Sequence, residues 1–267
     1  MSDPEIISKL NKLLAEGRPA VLCTIIEKHG SGPREEGAKM LVDPDGETLG
    51  TIGGGGMERR LVEEAIEALK EGRARTIAFA MGVEPSGGAI AVDSKCGGEV
   101  RVFLDVIKPD PRLVIVGSGH IGKPVADLAH LVGFEVVVVD DEKTATPERF
   151  PYARRICSGP FEEELERVKS RPSDFVAIVH GETDHELLAL RKFLPLKPAY
   201  IGLLGSMNKA AEHKRQLLAE GFPEEQVEAI HAPIGLDIGA ETPEEIAVSI
   251  VAELVEARRR GRPRGAS

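Results

Sequence analysis

Cysteine is scarce in this chain: Cys23, Cys96 and Cys157 are the only three among 267 residues. An odd and low count excludes a disulfide framework and points to a reducing, cytoplasmic setting. No Cys-x-x-Cys pair occurs, which argues against zinc-ribbon and iron–sulfur sites. No apolar run approaches the roughly 20 residues of a bilayer-spanning helix, so no membrane partner is expected. The opening Met-Ser-Asp-Pro-Glu lacks the basic and apolar regions of a secretory signal. Positive charge is short too. The formal net charge of −10 argues against nucleic acid as a partner. There is no Gly-Lys-Ser/Thr ending of a nucleotide P-loop and no Gly-x-Ser-x-Gly nucleophile elbow. No motif-level acid–base pair emerges. Repeats are missing, and the one biased stretch is the arginine-rich tail, 258–267, which reads as a frayed and disordered terminus.

What is present is an ordinary globular balance, 42% hydrophobic and 29% charged, in a length that suits one large domain or two modest ones. The proline-dense Lys108-Pro-Asp-Pro111 divides it. Residues 1–108 read as a smaller α+β domain. Ile6, Ile7, Leu10, Leu13 and Leu14 share a helix face behind Asp3-Pro4, and strands follow at 20–27, 39–42, 47–52, 75–80 and 99–107. A helix from Met57 to Glu71 is stopped by Gly72. Residues 112–257 alternate strands near 112–117, 135–140, 174–180 and 199–204 with helices near 121–132, 161–170, 184–193 and 207–220. That alternation predicts an α/β fold, a Rossmann-like doubly wound parallel sheet. Thr242 as cap, Pro243 in first position and Glu245 completing a capping box mark a last helix.

The sharpest chemical statement is Leu113-Val-Ile-Val-Gly-Ser-Gly-His-Ile-Gly122, an apolar strand running into Gly117-x-Gly119-x-x-Gly122 and a helix. Gly117 allows the turn, Gly119 lets backbone approach a pyrophosphate, and Gly122 lets helix pack on strand. N–H groups near Ser118, Gly119, His120 and Ile121 suit a phosphate. Asp140, ending the next strand, is placed to accept from a ribose hydroxyl. Read alone, this unit suggests NAD(P). A second cradle is Thr51-Ile-Gly53-Gly54-Gly55-Gly56-Met57-Glu58, whose glycines expose N–H groups at a helix start. Glu58 there either complements the helix dipole or touches a ligand.

Three further stretches carry chemistry. Cys96, in the loop Ser94-Lys95-Cys96-Gly97-Gly98, is reachable, and Lys95 favours its thiolate. It is the one candidate catalytic residue and a candidate soft-metal ligand. Cys23 reads as a small core residue, and Cys157 as inert with no helpful neighbours. His180-Gly-Glu182-Thr-Asp184-His185-Glu186 gathers histidines and carboxylates at a strand's C-terminal end. His180 is a weak metal candidate, because His180 and His185 lie five apart across a loop–helix junction and form no standard chelating pair. Asp184 suits a helix cap. Gly202-Leu-Leu-Gly205-Ser206 ends another strand as a second phosphate edge or an ordinary cap. His231 to Gly239 forms a rim loop.

Together these residues resemble the XdhC/CoxI family, accessory proteins that mature xanthine dehydrogenase and related molybdenum hydroxylases. The matching stretches are Gly30 to Val42, Gly50 to Glu58, Cys96 to Leu104, the Gly117 to Gly122 turn, Gly202 to Ser206 and Pro233 to Ala247, spanning nearly the whole chain. One departure lies at 180–186, where the family's compact His-Asp-His is stretched. The resemblance implies a non-catalytic factor that binds molybdenum cofactor, as molybdopterin or its dinucleotide. It protects the cofactor while its terminal sulfur is installed and inserts it into an apo-hydroxylase. It implies contact with a cysteine desulfurase and often a homodimer. In that setting the Rossmann half would hold a nucleotide, Gly53–Gly56 a pterin phosphate or oxo ligands, and Cys96 the metal or sulfur. The competing expectations are an NAD(P)-dependent oxidoreductase and a nucleotide-sensing regulatory module.

Overall fold

An apolar stripe at helical spacing opens the chain as α1 (Asp3–Ala15), which buries Ile6, Leu10 and Leu13. The computed structural model describes residues 3–260 except 33, 86, 93–96 and 142. Two compact units, Met1–Pro109 and Asp110–Ser267, make up the chain. In the first, a six-stranded sheet is built from β1 (Ala20–Gly30), β2 (Lys39–Val42) and β3 (Thr48–Gly50), then α2 (Gly55–Glu71), β4 (Arg75–Met81), β5 (Ile90–Val92) and β6 (Gly98–Ile107). Its order is β3-β2-β1-β6-β4-β5, antiparallel except for the β4–β5 edge. Side chains alternate across β1 with period two. Val21, Cys23 and Ile25 face Met57, Leu61, Ala65 and Ala68 of α2, whereas Ala20 and Leu22 meet α1. Cys23 is a core residue as expected, and burial pushes its thiol up to about 12.

The second unit alternates β7 (Arg112–Val116), α3 (Gly122–Leu131), β8 (Glu135–Asp140), β9 (Arg155–Ser158), α4 (Phe161–Arg167), β10 (Phe175–Ile178) and α5 (Thr183–Phe193). It continues through β11 (Tyr200–Leu203), α6 (Met207–Ala219), α7 (Glu224–Glu228), β12 (Ile230–His231) and α8 (Pro243–Arg260). All six strands run parallel in the order β12-β11-β10-β7-β8-β9. Successive residues of β7 feed opposite cores. Leu113 and Ile115 pack beneath α3 and α8, while Val114 and Val116 pack beneath α4, α5 and α6. That double burial explains why the strand reads as a continuous apolar run. The chain winds outward from β7 in one direction and from β10 in the other, so the two adjacent strands form a topological switch point.

At the opposite, N-terminal end of these two strands, Arg112 and Asp174 form a buried two-pronged ion pair, Nε to Oδ1 at 2.8 Å and Nη2 to Oδ2 at 2.5 Å. The last helix is capped as its sequence predicts: Glu245 N–H donates to Thr242 Oγ1, and Thr242 N–H to the Glu245 carboxylate. The expected tail is corrected at its start. Arg258 to Arg260 are helical, and Arg258 lies 4.8 Å over the Phe134 ring and donates to the Val132 carbonyl. The ring contact and the hydrogen bond together anchor the last turn of the helix. Residues 261–267 lie outside the described residues. Among the described residues no helix is long and apolar enough to cross a membrane.

Candidate functional site

The loop leaving β7 turns at Gly117, whose φ of +112° favours glycine. A Cβ there would lie 2.6 Å from the backbone of His180, so the loops after β7 and β10 touch across the switch point. At Gly122 a Cβ would meet the Gly117 carbonyl at 2.0 Å, which is the close helix–strand packing its position demands. Gly119 differs: among the described residues no atom lies within 4 Å of a Cβ placed on it. Its carbonyl accepts from Arg149 Nη2 at 3.1 Å, which brings a cation to the loop. Arg149 sits on the connection after β8, and no spacing in the sequence ties it to Gly119.

Ser118 and Asp140 are used differently from expectation. Ser118 N–H donates to Asp140 Oδ2 at 2.6 Å, and its hydroxyl to the same oxygen at 2.7 Å. Asp140 Oδ1 accepts from Asp141 N–H at 2.8 Å and faces His180 Nε2 at 3.2 Å. The carboxylate is only 7% exposed. Burial pushes its pKa up, but the hydrogen bonds from His180 and Ser118 outweigh burial and hold it well below the usual carboxylate range. Both oxygens already accept hydrogen bonds, so neither stands open for a ribose hydroxyl, and the Ser118 N–H is turned to Asp140 rather than toward a phosphate. A buried acid attracts the nearest donors, and these sit on the neighbouring strand ends. The N–H groups of Gly119, His120 and Ile121 retain no acceptor among the described residues, and they stand at the start of α3.

His180 reaches the same point from β10. Burial pulls its imidazole pKa down, and the hydrogen bond and charge of Asp140 raise it above the ordinary value. Its Nδ1 is buried without a hydrogen-bond partner. The chain reverses at Gly181, φ +95°, and brings His185 of the first turn of α5 against His180, ring centroids 4.4 Å apart. Their spacing is that of no standard chelating pair, yet a strand end, one turn and a helix start fold it back and bring the two rings together. Phe161 packs on both rings. One ligand atom each from His180, Glu182 and His185 lie within 4.8 Å of one another. Glu182 takes the cap position expected of Asp184, which stands inside the first turn.

The loop after β10 is held from beneath by residues that spacing did not single out. Gly181 N–H donates to Glu186 at 3.1 Å, and Lys209 Nζ reaches the Gly181 carbonyl and the Glu186 carboxylate. Glu186 is fully buried, with His213 Nε2 3.1 Å away. Gly205 and Ser206 end β11. Ser206 Oγ accepts from Lys209 N–H and so serves as the cap of α6.

In the first unit, the polyglycine segment is partly filled by its own acid. Glu58 Oε1 accepts from Thr51 Oγ1 at 2.5 Å, Ile52 N–H at 3.0 Å and Gly53 N–H at 3.2 Å. Burial raises its pKa, and the hydrogen bonds from Thr51 and from Gly54, Ile52 and Gly53 outweigh it, for a net lowering. Gly53, Gly54 and Gly55 all have positive φ, and α2 begins at Gly55, two residues earlier than expected. Glu58 therefore neither waits for a ligand nor acts through the dipole alone. It closes the loop's donors at Ile52, Gly53 and Gly54. Gly54 and Gly55 keep open space around their Cα atoms. Cys96 lies outside the described residues. Cys157 is buried in β9, where burial raises its thiol pKa, although Arg155 and Arg167, neighbours its sequence context did not suggest, oppose that rise.

A family model described as the XdhC Rossmann domain matches residues 113–254, and one described as the XdhC and CoxI family matches residues 13–80. The chain is 39% identical to the uncharacterized protein YqeB of Escherichia coli, over 95% of its own length and 46% of that protein. It is 35% identical to a probable xanthine dehydrogenase subunit of Bacillus subtilis, covering 60% of this chain and 47% of the relative. It is 24% identical to the molybdenum cofactor insertion chaperone PaoD of Escherichia coli, covering 92% and 85%. The chain thus spans about half the length of the first two relatives. A crystal structure described as a xanthine dehydrogenase from Bacillus halodurans matches with TM-score 0.51 and 27% identity, over 100% of this chain and 98% of that one.

Proposed function

Because the chain belongs to the XdhC and CoxI family, we propose that it binds molybdenum cofactor and inserts it into a xanthine dehydrogenase-type molybdenum hydroxylase. The cofactor is cargo: it is held, protected while a cysteine desulfurase supplies the terminal sulfur, and released to the apoenzyme. The setting is the cytoplasm and the working form a homodimer. Likeness to a cofactor insertion chaperone over 92% of the chain supports this reading.

The observation that carries it is the edge at Gly119. An open glycine, three free N–H groups at a helix start and the nearby Arg149 form an anion site at the switch point. The phosphate of molybdopterin, or the diphosphate of its dinucleotide form, meets those N–H groups. Gly54 and Gly55 offer a second, smaller open edge in the first unit. The N–H groups of Ile52, Gly53 and Gly54 are occupied by Glu58, so the phosphate is assigned to Gly119. Cys96 is assigned to guarding the metal or carrying sulfur.

An NAD(P) oxidoreductase fits less well. Such sites use a free acid at the end of the second strand to receive the ribose diol, and Asp140 has none of its oxygens free. The full chain, purified from a host that makes molybdenum cofactor, is expected to carry molybdenum by elemental analysis and a pterin by fluorescence after oxidation. Co-purification of a nicotinamide dinucleotide with no molybdenum or pterin would overturn the reading.

A further inference from the structure

The residues after β10 form a constellation that cofactor delivery does not require. His180 is nine-tenths buried at its side chain, its Nε2 faces the Asp140 carboxylate at 3.2 Å, and its buried Nδ1 has no hydrogen-bond partner. A carboxylate on one ring nitrogen fixes the imidazole's orientation and turns the other nitrogen toward a ligand, the arrangement that outer carboxylates impose on metal-binding histidines. Ser118 in turn fixes Asp140 by two hydrogen bonds. The second imidazole, His185, is brought to 4.4 Å by the turn at Gly181, and its Nδ1 lies 3.0 Å from Glu182 Oε2. Phe161 supplies an apolar wall to both rings.

We propose that His180, Glu182 and His185 bind a divalent transition-metal ion of the zinc class. The three offer one ligand atom each within 4.8 Å of one another, and two imidazoles with one carboxylate make a nitrogen-rich set. Such a set selects zinc, cobalt, nickel or ferrous iron over magnesium and calcium, which demand oxygen ligands. Three protein ligands leave a coordination position open, as in sites where the ion holds water or a substrate group. On binding, the ion gives the buried His180 Nδ1 the partner it lacks. Glu182, with 72% of its side chain exposed, is the flexible third ligand and marks the side from which the ion enters. The inference goes beyond the delivery reading and does not depend on it.

The test uses the full chain, stripped with a chelator and kept free of molybdenum cofactor. Zinc ion is titrated by calorimetry and cobalt(II) by its visible absorption. One saturable equivalent is expected, with a cobalt spectrum of low-coordinate nitrogen–oxygen type. His185→Ala and Glu182→Gln alter positions open enough for the fold to survive, and each is expected to weaken zinc binding at least about tenfold and change the cobalt spectrum. Asp140→Asn, acting through His180, is expected to cost about 10–100-fold. His29→Ala, in the first unit, is expected to change nothing. The proposal is overturned if no saturable equivalent forms, or if binding survives both His185→Ala and Glu182→Gln. Because only the metal is added, failure leaves the delivery reading standing, and loss of molybdenum cofactor binding leaves this one.

Discussion

Gly117, Gly119 and Gly122 lie within one six-residue turn, yet they lack side chains for different physical reasons. Gly117 and Gly122 are closed by backbone: a Cβ would strike His180 at 2.6 Å in the first case and the Gly117 carbonyl at 2.0 Å in the second. At Gly119, by contrast, no atom of the described residues lies within 4 Å of an added Cβ. Gly119→Val is therefore expected to leave thermal stability nearly unchanged while lowering cofactor retention at least about tenfold, because a side chain would occupy the space an anion needs. Gly117→Ala is expected to destabilise the second unit by more than about 1 kcal/mol, from positive φ and backbone collision together. Measuring melting temperature and bound pterin on both variants checks the pair. A cofactor yield that Gly119→Val leaves at wild-type level would count against the anion site. The glycine pattern was legible in the sequence. Which of the three faces a ligand was not, since that depends on what the loop after β10 leaves uncovered.

At the scale of elements, the polyglycine turn and its helix act as one closed unit. The spacing announced donors at a helix start, but not that Glu58 curls back onto them. Its hydrogen bonds to Thr51, Ile52 and Gly53 tie the end of the preceding segment to α2. Bonds to a charged group contribute about 1.5–3 kcal/mol each, before the screening that partial exposure brings. Glu58→Gln is expected to destabilise the chain at neutral pH. The sign with pH follows from the lowered pKa. A carboxylate depressed below its ordinary 4.5 contributes fully above that value and loses its contribution as pH falls through the folded-state value. Urea unfolding followed by circular dichroism, compared at pH 7 and at pH 4 and below, should show the wild type's advantage shrinking with acid. An advantage that grows in acid would refute the assignment. The capping box of α8 was readable in advance because Thr242 and Glu245 are three apart and meet within one turn. The cap of α5 was misassigned by two residues, since Asp184 and Glu182 are equally plausible until the Gly181 turn sets where the helix begins.

Across the whole second unit, stability and chemistry occupy opposite ends of the same two strands. Arg112 and Asp174 pin the N-terminal ends of β7 and β10, and the Gly117, Asp140 and His180 cluster lies at their C-terminal ends. Asp174→Ala leaves a buried guanidinium unpaired, and removing one partner of such a pair costs about 3–5 kcal/mol. The chain has no tryptophan, and its two tyrosines, Tyr152 and Tyr200, both lie in the second unit. Tyrosine emission during urea unfolding therefore reads this unit alone, and the midpoint for Asp174→Ala is expected to fall markedly. An unchanged midpoint would show that the pair is solvated and energetically idle.

By itself the sequence determined what neighbours along the chain can decide: strand and helix periods, the strand–glycine–helix unit at 113–122, the helix stops and caps, and hence a parallel α/β sheet following a smaller α+β part. Those signals are local, because period, turn and cap each act within a few residues. Only the tertiary structure decided which donors and acceptors are already taken. Asp140 is consumed by Ser118, 22 residues away, and by His180 on another strand. Asp174 is consumed by Arg112 at a separation of 62, and His180 and His185 are joined by a reversal that their spacing conceals. A buried polar group is satisfied by whatever the strand order places beside it, and strand order is a property of the packed sheet rather than of any stretch of sequence.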